Sequence, residues 1–82
     1  MDTEGTFTLH AVVGLASANP RQWESIGFVH ARDEGSYLEC VQAGSTYETR
    51  EVALFAAIEA ARAVARTLDP EDSVENRRRP GG

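Results

Sequence analysis

The chain has one cysteine, Cys40, and no lysine. A single thiol can close neither an internal disulfide nor a cysteine-rich zinc site, and a reducing, cytoplasmic setting is the resulting expectation. All eight cationic side chains are arginine, which reads as coding bias more than chemistry. No apolar run approaches the ~20 residues that a membrane-spanning helix requires. Residues 1–6 are acidic and polar, without the basic patch and apolar stretch of a signal peptide.

Positive charge is scarce as well. The formal net charge is -5, and Arg77, Arg78 and Arg79 crowd at one end, so the rest of the chain is more acidic still. An acidic body argues against a nucleic-acid partner, whose phosphates require a basic face. The length of 82 residues fits one domain. At this size folding buries roughly 60% of the surface of the unfolded chain, and partner subunits commonly supply the missing burial. The hydrophobic fraction of 41% and charged fraction of 26% are those of a folded soluble domain.

What is present is alternation. Over residues 6–15, Phe7, Leu9, Ala11, Val13 and Leu15 alternate with Thr6, Thr8, His10, Val12 and Gly14, the period of a half-buried strand. Residues 16–22 read as a loop with a turn at Asn19-Pro20. A second strand is expected over 23–32, with Ile26 and Phe28 on the core face and Gly27, Val29 and Ala31 on the other. Asp33-Glu34-Gly35 is expected to make a tight connection, with Gly35 supplying the positive φ. The third strand spans 36–43, with Leu38 and Cys40 on one face and Tyr37, Glu39 and Val41 on the other; Gly44 ends it.

Periodicity then changes. Residues 45–68 read as one long amphipathic helix, opened by a capping box at Ser45-Thr46-Tyr47-Glu48. Leu54, Ile58, Ala61, Ala65 and Leu68 form its apolar stripe, flanked by Ala57 and Val64. Glu48, Glu51, Glu59, Arg62 and Arg66 gather on the opposite side, and Phe55 falls among them. Asp69-Pro70 stops the helix, because the residue before proline avoids helical backbone. Proline at the first position of 69–72 also permits one more short turn.

The expected fold class is α+β: a two-layer unit with a three-stranded antiparallel meander covered by one long C-terminal helix, in the order β-β-β-α. A single domain over 1–76 precedes a flexible Arg/Gly-rich tail over 77–82. One helix covers one sheet face, yet Val12, Trp23, Val29, Tyr37 and Val41 make the second face partly apolar. Together with Phe55 they are the candidate protein-interface residues.

Chemistry-bearing residues are few. His10 and His30 sit in strands without a third ligand at useful spacing; Glu39 beside His10 and Asp33 beside His30 are the only carboxylates in view for acid–base work. Cys40 lies between Glu39 and Val41 in an alternating strand, the pattern of a small buried hydrophobe and not of an activated thiol. The helix charges read as a solvated face with weak pairs such as Glu59–Arg62. Arg77 to Arg79 read as a solubilising tail, and Gly81-Gly82 lacks the fold order of a ubiquitin-like modifier. No cofactor, metal site or catalytic set follows, and the chain is not expected to be an enzyme.

Two segments flank the strands in a suggestive order. Gly14-Leu15-Ala16-Ser17-Ala18-Asn19-Pro20-Arg21 follows the first strand, and Thr46-Tyr47-Glu48-Thr49-Arg50-Glu51 precedes the alanine-rich helix. Over 6–66 the chain thereby resembles the first half of a ribonuclease H-like domain. In that family an aspartate on the first strand and a glutamate at the helix start hold metal. Here Glu51 stands at the helix position, while Val13 or Gly14 occupies the aspartate's place. Two-metal hydrolysis needs several converging carboxylates. The resemblance therefore implies the arrangement of sheet and helix, not nuclease activity.

The reading that results is a small, non-catalytic, cytoplasmic interaction protein that forms homo-oligomers. It would associate through the uncovered sheet face, the edge of the first or third strand, or the surface around Phe55. The alternatives are a degenerate ribonuclease H-like nucleic-acid-binding module, or an acidic inhibitor from a phage or mobile element.

Overall fold

A fourth strand joins the expected three in a computed structural model of the chain, which describes residues 2–78. The strands are β1 (Asp2–Glu4), β2 (Phe7–Leu15), β3 (Trp23–Ala31) and β4 (Glu39–Gln42), followed by helices α1 (Arg50–Ala65) and α2 (Val74–Arg78). Among the described residues the sheet is antiparallel throughout, in the order β1-β2-β3-β4. The acidic β1 turns into β2 through Gly5-Thr6, with Glu4 opposite Phe7. Gly5 has φ +59°, the left-handed backbone that such two-residue turns need. At the β3–β4 turn it is Asp33 that takes the positive φ, 67°, and not Gly35; aspartate is one of the few other residues that tolerates it.

The helix starts later than its sequence suggests. Ser45 does not cap it. Thr49 has extended backbone and its Oγ1 accepts from the Val52 N–H at 3.2 Å, so α1 begins at Arg50. Its inward stripe is displaced by one residue in its first half, where Ala53 and Ala57 stand in place of Leu54 and Ile58, and runs as expected through Ala61 and Ala65. Ala53, Ala57, Ala61 and Ala65 are all buried, whereas Leu54 is exposed. Ile58, Val64 and Leu68 pack at the flanks.

This alanine row lets the helix press onto β3. The Ser25 hydroxyl donates to the Ala53 carbonyl at 2.7 Å, buried beneath the helix. A side chain at Gly27 would run into the Ala57 carbonyl oxygen and the Ala61 methyl. Small residues on both surfaces therefore set the helix–sheet distance. Bulk enters only further along, where Phe7, Leu9, Val29, Ala31 and Leu38 surround Ala61 and Ala65.

The same contact reverses the expected faces of the middle strand. Ser25, Gly27, Val29 and Ala31 face the helix, and Ile26 and Phe28 face outward. Directly opposed residues share a face, so Val41, opposite Gly27, lies on the helix side and Cys40, opposite Phe28, lies outside. Cys40 is exposed, contrary to its expected burial.

Two ion-pair groups fasten the periphery. Arg62 donates to the Thr3 carbonyl at 3.0 Å and to Glu4 at 2.9 Å, and Arg66 reaches Glu4 at 3.3 Å. These hydrogen bonds, Arg62's first, hold the Glu4 carboxyl below the ordinary glutamate range. At the other edge, Arg77 bonds Glu39 and Asp72, each at 2.7 Å, and the Leu38 carbonyl at 3.1 Å. Arg77 holds the Asp72 carboxyl below its ordinary range. The Glu34 carboxylate in the β3–β4 turn accepts from the Val74 and Glu75 amides at 2.8 and 3.2 Å, opening α2. Arg77 and Arg78, expected in a tail, thus belong to α2. Residues 79–82 of that tail lie outside the described residues.

Candidate interaction surface

Because α1 covers one side of the sheet, the other side is open among the described residues. Cross-strand rows define it: Val12 beside Ile26, His10 beside Phe28 and Cys40, and Thr8 beside His30. Tyr37 stacks edge-on against Phe28 with ring centroids 5.1 Å apart. Val12 is 54% exposed, Ile26 41% and Tyr37 51%. An apolar strip of this kind on a sheet face is a feature of interaction surfaces.

Of the six residues singled out from the sequence, Val12 and Tyr37 stand on this face. Val29 does not. It is fully buried against the helix. Val41 lies on the helix side, as the register requires. Trp23 shares the parity of Ser25 and Val29 and is half-buried at the start of β3, where it exchanges backbone hydrogen bonds with Tyr47 at 2.7 and 2.8 Å. Phe55 is separate: it projects from α1 and is 67% exposed. Sequence reasoning missed Ile26 and Phe28. The available signal was the small pair Ser25 and Gly27, which fits a helix pressed close and leaves the larger neighbours outside.

The histidines are near one another, and of the two carboxylates expected beside them Glu39 lies elsewhere while Asp33 borders the same hollow. Their rings are 6.4 Å apart. Glu39 points instead to Arg77 on the helix side. His10 and His30 share the rim of a shallow hollow with Thr8, Asp33 and Glu34. Among the described residues, no group of three or more His, Cys, Asp or Glu side chains is placed to hold a metal ion. Glu51 is exposed in the first turn of α1. No helix of the described residues is long and apolar enough to cross a membrane.

One further element borders the open face. Leu54 and Ile58 of α1 close a hollow with Asp2, Leu9, His10 and Ala11 at the β1 side of the sheet. Leu15, at the end of β2, is exposed. Apolar surface therefore continues from the outer face around the rim of β2 to the helix. No protein-family model matches this chain, and no curated protein or solved structure matches it.

Proposed function

We propose that this chain is a small, non-catalytic interaction protein that acts as a homo-oligomer in the cytoplasm. The observation that carries the reading is the apolar surface that α1 leaves uncovered: Val12, Ile26 and Tyr37 outside the sheet, and Leu54 and Phe55 on α1 itself. A domain this small has too little chain to cover both faces of its sheet. A second copy is the most economical cover, since most soluble oligomers are homomeric. Size-exclusion chromatography with light scattering tests the reading. The expected mass is a multiple of the 8.9 kDa chain. A clean monomer at high micromolar concentration refutes it.

A further inference from the structure

Hydrogen-bond direction singles out one edge of β2. On β3, the Ser25 carbonyl accepts from the Ala43 amide at 3.1 Å, and Trp23 bonds Tyr47. Both residues thus turn their backbone groups away from β2. In an antiparallel ladder successive residues bond to opposite sides. The β2–β3 bonds therefore run through pairs such as Val12 with Ile26 and Gly14 with Glu24. Ala11, Val13 and Leu15 aim their N–H and C=O groups at the other edge. There β1 pairs only with Phe7, Thr8 and Leu9, and no other described strand follows it. Among the described residues, nothing pairs with this edge from Ala11 to Leu15.

Nothing along Ala11-Val12-Val13-Gly14-Leu15 deters a further strand. It has no charge and no proline, and its pairing with β3 runs without a bulge. Those are the devices by which sheet edges are normally guarded. The helix favours the same side. In the row Leu54–Ile58–Arg62, Arg62 stands over β1, bonded to the Thr3 carbonyl, while Leu54 and Ile58 line a hollow with Ala11, past the β2 residues that β1 pairs with. Phe55 lies next to Leu54.

Resting on the self-association reading above, we infer that a second copy of this chain occupies this edge, β2 pairing antiparallel with β2 about Val13. Ala11 then lies opposite the second copy's Leu15, and each such pair exchanges both of its backbone bonds. A two-fold axis at Val13 closes the assembly, as a homodimer requires. Opposed residues share a face, so both helices fall on the same side and bring Leu54 and Phe55 of the two copies together. Each copy carries -5 and two copies repel overall, so this uncharged edge, where no carboxylates oppose one another along the strand, is where a second copy can approach. A stable dimer hides on the order of 800 Å² per partner. A short strand seam alone falls below that, so the helix contact belongs to the interface.

Backbone amide exchange on the full chain tests the seam without any substitution. In a dimer the monomer fraction falls as the inverse square root of concentration. Exchange at Ala11, Val13 and Leu15 should therefore slow about tenfold over a hundredfold rise in concentration. A sample shown to be oligomeric whose three amides exchange at a concentration-independent, edge-strand rate overturns the seam and spares the self-association reading. A clean monomer overturns both. Val13→Pro removes an amide that serves only the seam; a folded, monomeric variant is expected, and a folded variant that still dimerises overturns the proposal. If V13P fails to fold, the exchange of the unmodified chain decides.

Discussion

Replacing Gly27 by alanine adds one methyl group where α1 crosses β3. An added Cβ meets the Ala61 methyl at 3.0 Å and lies nearer still to the Ala57 carbonyl oxygen. That oxygen belongs to the helix backbone, so no side-chain rotation relieves the clash. The helix must lift, which also stretches the 2.7 Å bond from Ser25 to the Ala53 carbonyl. Overpacking of this kind costs about 1–3 kcal/mol, and a backbone obstruction places the variant near ~3. Alanine's smaller unfolded-state freedom offsets about 0.4–1 kcal/mol of that. A net loss of about 2 kcal/mol follows. With a urea dependence of about 1 kcal/mol/M for a small domain, the midpoint drops by about 2 M. Urea melts at one fixed protein concentration measure this without interference from association. Ala57→Gly in the same background should not restore stability, because the obstructing atom is not in the side chain. A Gly27→Ala variant within ~0.5 kcal/mol of the parent, with unchanged denaturant dependence, would refute the close-approach account.

Two more expectations follow from the periphery. Thr49→Ala should lower stability by about 1 kcal/mol through loss of the helix cap, while Ser45→Ala should stay within ~0.5 kcal/mol; equal effects in thermal or urea melts would contradict the assigned helix start. Glu4 has a lowered folded pKa, so its pairing with Arg62 and Arg66 contributes fully above the ordinary glutamate value and is lost as pH falls through the lowered one. The Glu4 amide should therefore lose exchange protection in acid before the His10 and Val12 amides, which bond β3 and not β1. Protection that persists until the whole domain unfolds would show that the ion pairs do not hold β1.

The middle of the fold was legible and its faces were not. Alternation located β2, β3 and β4 to within a few residues, because period-2 patterning survives in short strands. Side-chain size then misdirected the reading of β3. Ile26 and Phe28 are the larger residues, yet Ser25 and Gly27 face inward because the alanine row demands small partners. The same misreading placed Val29 and Val41 on the interaction surface and Cys40 in the core. Asp2-Thr3-Glu4 carries no hydrophobic pattern at all; β1 depends on arginines of α1 that lie far off in sequence. Thr49 and Ser45 are equally good caps locally, and only the packing of α1 distinguishes them. Of the surface itself, Val12, Tyr37 and Phe55 were readable as apolar residues with no place in the expected core.

Glu34 bears on the order in which the molecule assembles. Its carboxylate starts α2 from a position 40 residues earlier in the chain. So short a helix cannot nucleate alone even with the Ser73 Oγ accepting from the Asn76 N–H at 2.9 Å, and its carboxylate cap exists only once the β3–β4 turn has formed. Helix α2 is therefore a late event in folding. Mutations within it should speed unfolding and leave the folding rate almost unchanged.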